Sequence, residues 1–429
     1  LIDEAHLFEP NVAAAMSDMV SVYMTKSRIE RYGSKEAAQL ARKGYEALAR
    51  LGSGAEDLVL KHGVCTDEQA TLRQALLDIK AAITISVKKR SMPSDLKSAL
   101  VRTADTIGRA LTLRNQLSTL RFSPTQRYPR LMTGPVSVSR ILAGFWQSAS
   151  WGAALSATLY TRDMTGNPNA SFMSRRLRIP IGRLLTHTPI VPSWTVSPVT
   201  LVKPPHHEGD LKQHPMFPPA FNDAEDETTS APYFTALSAA INPIVSDARG
   251  GTLVLCTSYQ AIAGLSERCV DPGRVMVSIR GTPISTLLKT FQARSLAGER
   301  PVWFATGPAW TGLDIYAGIT PPAVESDHLL SDLVVPRLPF QVAISSTDQA
   351  RRQYMPAHLV WPDQVLQCSF RLLQGIGRLV RREGLPPKNL WVLDPRGFDP
   401  SYAGSSIRSI WSRYAKQVAF SQAPAKPVA

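Results

Sequence analysis

Long hydrophobic runs are missing from this 429-residue chain. No apolar stretch approaches the roughly 18 residues a membrane span requires, which excludes an integral helical membrane protein. Cysteine is scarce as well: Cys65, Cys256, Cys269 and Cys368 are the four in the sequence, far apart and without close pairs. That usage excludes a disulfide scaffold and a zinc ribbon, and it fits a reducing cytoplasm. Carboxylates are in deficit, with 34 Asp and Glu against 48 Lys and Arg, for a net charge of +14. Such an excess favours a polyanionic partner, nucleic acid or an anionic membrane surface, without choosing between them. No Gly-x-Ser-x-Gly elbow occurs, so Ser-His-Asp hydrolysis has no support. The chain opens Leu1-Ile2-Asp3-Glu4, with neither Met nor a basic signal region, as a domain entered part-way would. What remains is ample for folding. The hydrophobic fraction is 44% and the charged fraction 19%, enough for buried cores in roughly three domain-sized units.

Residues 34 to 120 are rich in Ala, Leu, Lys and Arg, with apolar positions at spacings of three and four. Leu72, Ala75, Leu76 and Ile79 set the pattern, followed by Leu100, Ile107 and Leu111. The spacing predicts three or four packed helices. From about residue 250 the pattern changes to short β-rich runs alternating with helical stretches. Thr252–Cys256, Val275–Ser278, Val302–Ala305 and Leu333–Val335 are the runs, with helices expected from about Tyr259 and around Leu287. Apolar strands of four or five residues between helices predict a parallel sheet covered on both faces, an α/β fold. The stretch 203 to 230, rich in Pro and His and ending in acidic Asp223 to Glu227, reads as an exposed loop. The tail after Gln422 is expected to fray.

Two clusters carry chemistry. Asp3-Glu4-Ala5-His6 follows two aliphatics, as a strand would deliver it to a sheet's carboxyl edge. Adjacent carboxylates there suit nucleotide hydrolysis, one holding Mg²⁺ through water and the next orienting the attacking water. A helix N-terminus would use the same acidic residues against its macrodipole. The second cluster is Gln374-Gly-Ile-Gly377-Arg378-Leu-Val-Arg381. On a helix Gln374, Arg378 and Arg381 share one face, and guanidinium forks at that spacing suit arginine fingers. A solvated basic stripe is the alternative. The two glycines argue against it, because each costs about 1 kcal/mol in a helix interior.

In order, Asp3-Glu4-Ala5-His6, Ser156-Ala157-Thr158-Leu159 and Gln374-x-x-Gly377-Arg378-x-x-Arg381 resemble the motifs of a superfamily 2 helicase. Further segments narrow the resemblance to the XPD and DinG group of DNA helicases. Leu253–Tyr259 is similar to its Leu-Val-Leu-Phe-Thr-Ser-Tyr strand. Trp310-Thr311-Gly312-Leu313-Asp314 is similar to its Phe-Trp-Glu-Gly-x-Asp loop, and Leu338-Pro339-Phe340 to its Lys-Leu-Pro-Phe. The short helical block and divergent loop also resemble the DinG-like helicase of type IV CRISPR systems. The phosphate-binding Gly-x-x-x-x-Gly-Lys-Ser/Thr pattern occurs nowhere in these residues. The chain thus resembles the C-terminal two-thirds of such an enzyme.

The resemblance implies RecA-like lobes, parallel sheets flanked by helices, with an all-helical arch inserted. Residues 1–15 and 131–165 would belong to lobe one, 16–130 to the arch and 166–429 to lobe two. It implies a cytoplasmic ATP hydrolase and DNA helicase moving 5′ to 3′ on single-stranded DNA, with a CRISPR effector complex as a potential recruiting partner in DNA interference. ATP and Mg²⁺ would be its cofactors, with no iron–sulfur cluster in this chain. Catalytic roles fall to Asp3, Glu4, His6, Gln374, Arg378 and Arg381, with Asp3 and Glu4 at the metal. Gly312, Asp314 and Gly377 join Asp3, Glu4, Arg378 and Arg381 around nucleotide. Ser156, Thr158, Thr257, Ser258, Trp310 and Thr311 would touch nucleic acid. Thr311 stands where the family usually has Glu, and Ala317 where it usually has Gly, both in the loop that couples nucleotide state to DNA in that family. A non-catalytic helicase-like scaffold and an RNA helicase remain as alternatives. Lys88-Lys89-Arg90, Arg175-Arg176-x-Arg178 and Arg351-Arg352 are basic runs that either meet phosphates or lie solvated. Trp146 and Trp151 are expected in the core, and His206, His207 and His214 lack a partner that would complete a metal set.

Overall fold

The computed structural model describes residues 2, 5, 8–51, 58–60, 64–112, 116–121, 129–135, 137–156, 159–162, 168–190, 192–219, 227–311, 313–315, 329–340 and 357–420. They form two compact units, one built mainly on the chain up to Ser156 and the other mainly on residues from Leu185 onward.

In the first unit α1 (Phe8–Ala15) precedes β1 (Asp18–Ser21), α2 (Val22–Tyr32), α3 (Lys35–Leu51), β2 (Leu58–Leu60), α4 (Asp67–Val87) and α5 (Ser94–Thr112). β3 (Gln116–Arg121), β4 (Arg130–Pro135) and α6 (Ser139–Ser148) follow. Ser21 and Thr66 cap α2 and α4, their hydroxyls accepting from the Met24 and Gln69 amides at 3.3 Å. The apolar stripe expected on α4 is the buried one: Leu72, Ala75, Leu76 and Ile79 are at most 2% exposed. Gly44 lets α3 approach α4, since a Cβ there would lie 2.7 Å from the Ala75 carbonyl oxygen. The stretch expected to be wholly helical also holds strands. An antiparallel sheet of order β1-β4-β3-β2 lies beside the helices. Its residues are few per strand and distant in sequence, so helical periodicity dominates the sequence pattern. Ile2 pairs in parallel with Ala154, and the Ala5 amide bonds the Leu155 carbonyl at 2.9 Å. A small hairpin, β5 (Thr161–Arg162) with β6 (Pro168–Asn169), and α7 (Ser171–Leu177) come next in the chain.

The second unit is built on a seven-stranded parallel sheet. Its strands are β7 (Val199–Lys203), β8 (Gly251–Leu255), β9 (Val275–Val277), β10 (Val302–Ala305), β11 (Leu330–Val335), β12 (Lys388–Val392) and β13 (Lys416–Ala419), in the order β13-β7-β12-β11-β8-β10-β9. β8 and β10 are buried at every residue, as parallel strands covered on both faces must be. Alternation then sorts the side chains. Leu253, Leu255, Trp303 and Leu333 pack on one face with Phe291, Leu372 and Ile407 from α10 (Ile284–Leu296), α11 (Ala357–Ile376) and α12 (Pro400–Trp411). Val254, Cys256, Phe304 and Val334 pack on the other with Leu237 and Ile262 from α8 (Glu227–Asp247) and α9 (Tyr259–Ser266). Among the described residues no helix is long and apolar enough to cross a membrane.

A cation lies buried inside this sheet. Lys388, 1% exposed at the start of β12, donates its ammonium to the Leu330 carbonyl beside Asp332. Burial pushes its pKa down from the ordinary 10.5 to about 8, against the opposing pull of Asp332. The unfolded chain therefore holds a proton that the folded one has released between those values, and stability rises with pH across the window. Denaturant melts of the wild type should show that rise, at most about 3 kcal/mol, and Lys388→Met should lack it. An identical pH profile in the two proteins would contradict the assignment.

Candidate functional site

Of the residues singled out in the sequence, Thr257, Ser258, Trp310, Thr311 and Asp314 follow β8 and β10 at the carboxyl edge of the parallel sheet, where successive loops emerge. After β8 come Thr257, half-buried, and Ser258, exposed. The Ser258 hydroxyl accepts from the Ala261 amide at 3.1 Å and so caps α9. After β10 the chain turns through Trp310, whose indole N–H donates to the Cys256 carbonyl at 2.9 Å. This bond fastens the β10 loop to the end of β8. The indole is 0% exposed and lies against α11, where a Cβ on Gly375 would sit 2.6 Å from the ring. The close approach that requires a glycine in this helix is Gly375 against Trp310. Gly377 has ordinary space around its Cβ position, the nearest atoms being 3.4 Å away.

Two arginines converge on one backbone oxygen. Arg378 donates from Nη1 to the Leu313 carbonyl at 2.6 Å and from Nε to the Gln374 carbonyl at 3.1 Å. Arg381 donates to the same Leu313 oxygen at 3.1 Å, with its Nε 3.9 Å from the Asp314 carboxylate. Both lone pairs of that carbonyl are thereby engaged, and Leu313 is tied to the end of α11. Their geometry differs from the expected single helical face. α11 ends at Ile376, and the chain turns through Gly377 to Leu379 with Gly377 N–Leu373 O and Leu379 N–Ile376 O bonds. The arginines lie beyond the helix, and their common target sets their convergence.

The remaining site residues divide by exposure. Thr311 and Asp314 are exposed on the β10 loop, and Gln374 is half-buried. Ser156 is half-buried in the first unit, next to the Ile2–Ala154 pairing. Asp3, Glu4, His6, Thr158 and Gly312 lie outside the described residues, as do Arg351, Arg352 and Ala317. Trp310, expected to touch nucleic acid, is enclosed by Cys256 and Gly375 and offers no free face in this structure. Trp151 departs in the other direction, at 81% exposure where a core position was expected. It lies just beyond the Trp146–Ser150 turn, whose carbonyls Arg183 gathers at 2.6 Å from Trp146 and Ala149. Trp146 is buried and bonds the Leu177 carbonyl. Of the basic runs, Arg176 pairs with Glu9 at 2.8 Å. His214 accepts from the Met216 amide at 3.0 Å, and among the described residues no three His, Cys, Asp or Glu gather as a metal set.

Sequence reasoning missed a buried ion pair behind this edge. Asp394, just after β12 and 0% exposed, accepts from the Leu338 amide at 2.8 Å and from Arg396 Nη2 at 2.7 Å through Oδ2. Its Oδ1 accepts the Arg396 amide and Nε, both at 3.0 Å. Burial opposes the Arg396 charge, yet the Asp394 carboxylate outweighs it and holds the guanidinium above its ordinary pKa. Arg396 also lies 5.0 Å from the Phe340 ring centre. The pair fixes the Arg337–Phe340 loop from below. An Asp-Pro-Arg-Gly turn after a β-rich run was its one sequence signal.

Residues 241–410 match the family model of the helicase C-terminal domain. That segment is similar to helicase C-terminal domains. It contains β8 to β12, both arginines and the Trp310 loop, so the carboxyl edge lies within the matched residues. The ATP-dependent DNA helicase YoaA of Haemophilus influenzae is 26% identical over 152 residues, taking in 34% of this chain and 21% of that protein. The chain therefore spans about a fifth of this curated relative in the alignment. Among solved structures, an XPD helicase matches with a TM-score of 0.55 at 14% identity, covering 98% of this chain and 68% of the other. An apo XPD matches at 0.57 with 15% identity (98% and 76%), and the Xpd4 of S. tokodaii at 0.56 with 14% identity (98% and 75%). The fold is that of XPD helicase structures.

Proposed function

We propose that this chain is the motor portion of an ATP-dependent DNA helicase of the XPD and DinG type, working on single-stranded DNA. The observation that carries the reading is the carboxyl edge of the matched segment, where Arg378 and Arg381 bind the loop that follows β10. A residue pair joining the end of α11 to that loop can link events at one to movement of the other. Thr257, Ser258 and Thr311 supply hydroxyls for backbone phosphates beside it. Residues 1–15 with 131–165 would contribute to a first lobe, 16–130 to an arch and 166–429 to a second lobe. In the same reading the enzyme is cytoplasmic, moves 5′ to 3′ and serves a CRISPR effector complex.

ATP with Mg²⁺ would supply the driving hydrolysis. Asp3 and Glu4 have the chemistry to hold the metal and orient water, His6 accompanies them, and Gln374, Gly312, Asp314 and Gly377 complete the nucleotide set. Arg381 fits a phosphate-facing role, because its side chain keeps 36% exposure. Arg378 fits less directly, being 8% exposed with two of its donors on backbone carbonyls. That burial favours the second reading, a helicase-like scaffold that binds nucleic acid without turnover.

Single-stranded DNA binding tests what both readings share. With net charge +14, affinity should fall as salt rises, with a log–log slope of about −0.7 for each phosphate neutralised. Fluorescence anisotropy titrations between 50 and 300 mM salt would measure it (about a sixfold span). A salt-independent affinity, or equal binding to anionic vesicles, would refute the proposal.

A further inference from the structure

A small hollow opens at the end of β8, on the face of the sheet that carries α8 and α9. Its walls include Tyr233 and Phe234 of α8, Thr257 and Ser258, Gln260 of α9, and Arg337 after β11. The volume is about 20 Å³, room for one water-sized group. Tyr233 is 7% exposed, and its hydroxyl has no hydrogen-bond partner among the described residues. A buried phenol without an acceptor is costly, so an acceptor is expected in the hollow.

The charge beside it is positive. Arg337 reaches the Pro219 carbonyl only at 3.5 Å, the outer limit of a hydrogen bond, and forms no ion pair with a described residue. The nearby carboxylate, Asp394, is engaged by Arg396 and the Leu338 amide, leaving two guanidiniums against one carboxylate among the described residues. Burial and the neighbouring Arg396 push the Arg337 pKa below its ordinary value, as an anion in the hollow would reverse. The first residues of α9 add the positive end of a helix at the same mouth. Desolvated charge, an orphan donor and a helix end thus face one cavity sized for a single oxygen.

We propose that Arg337 and Tyr233 form an anion subsite that takes one phosphate of a single-stranded nucleic-acid backbone, a non-bridging oxygen entering the hollow to accept from the Tyr233 hydroxyl. The inference rests on the nucleic-acid reading above and deepens it. Arg337 supplies charge, Tyr233 supplies a fixed donor, and Asp394 positions the loop that carries Arg337. The ligand is read by charge and a single acceptor, so the subsite has no base preference.

Salt titrations of single-stranded DNA binding test it in the full chain, beside thermal melts. Arg337→Gln should reduce the log–log slope by about 0.7, the contribution of one phosphate. Arg337→Lys should keep the slope. Tyr233→Phe should weaken binding about threefold to tenfold, the worth of one hydrogen bond, with an unchanged melting temperature. Should Arg337→Gln fail to fold, Tyr233→Phe and Arg337→Lys carry the test. Wild-type slope in Arg337→Gln with wild-type affinity in Tyr233→Phe would overturn the subsite and leave DNA binding standing. A lower melting temperature in Tyr233→Phe at full affinity would assign the hollow to a structural water instead. Inorganic phosphate is the second probe: if it stabilises the wild type through Arg337 while the DNA slope ignores Arg337, the anion is free phosphate and the proposal fails. Loss of salt-dependent binding by the wild type would remove the underlying reading as well.

Discussion

Arg378→Ala is expected to lower the stability of the sheet-bearing unit and, under the proposed motor reading, to stop turnover in the intact protein. The side chain makes two charge-assisted bonds, to Leu313 and Gln374 carbonyls, so its loss should cost about 2–4 kcal/mol. For a unit of this size that is roughly 5–15 °C in melting temperature. ATP hydrolysis should fall at least about a hundredfold, toward the lower end of what arginine fingers supply. Arg378→Lys should recover little of either, because one ammonium cannot present the planar fork that reaches both oxygens. Arg381→Ala should cost less stability, since Leu313 keeps its Arg378 donor. Removing both arginines should cost more than the sum of the two, as the last donors to a buried carbonyl disappear together. Steady-state ATPase assays with single-stranded DNA, read beside the melts, separate the readings. Lost stability with unchanged turnover would favour the scaffold and end the motor as proposed.

Asp394→Ala should have the largest effect on folding. It strands the buried Arg396 guanidinium and leaves the Leu338 amide without its acceptor. Breaking a buried pair from one side typically costs about 3–5 kcal/mol. Asp394→Asn, which keeps an acceptor but no charge, should fall between the wild type and alanine. Because the Leu338 amide neighbours Arg337, Asp394→Asn should also weaken single-stranded DNA binding by releasing the loop. Chemical denaturation would measure the first effect and anisotropy the second. A melting temperature for Asp394→Ala within about 1 °C of wild type would show that the pair contributes little.

Much of the architecture was legible in the residues. The run Val302–Ala305 coincides with β10, and Thr252–Cys256 and Val275–Ser278 differ from β8 and β9 by a residue or two. Strands buried on both faces leave continuous apolar runs, and helices leave spacings of three and four. These are local signals, so sequence carries them. The same holds for the α4 stripe and for the motif order that resembles a helicase, since each motif is a contiguous stretch.

The tertiary structure decided the partners. Nothing local says that Trp310 is enclosed while Trp151 is open, because burial depends on what the rest of the chain brings alongside. Gly375 and Trp310 are 65 positions apart, as are Arg378 and Leu313, and only the packing of α11 on the sheet joins them. Helical spacing placed Arg378 and Arg381 on one face, yet the helix ended first and a backbone carbonyl drew them together. The β1-β4-β3-β2 sheet escaped notice for the same reason: short strands gain stability from distant partners. Sequence determined the chemistry available at the carboxyl edge. Folding determined which of those groups were bound to one another, and left Tyr233 and Arg337 facing a hollow.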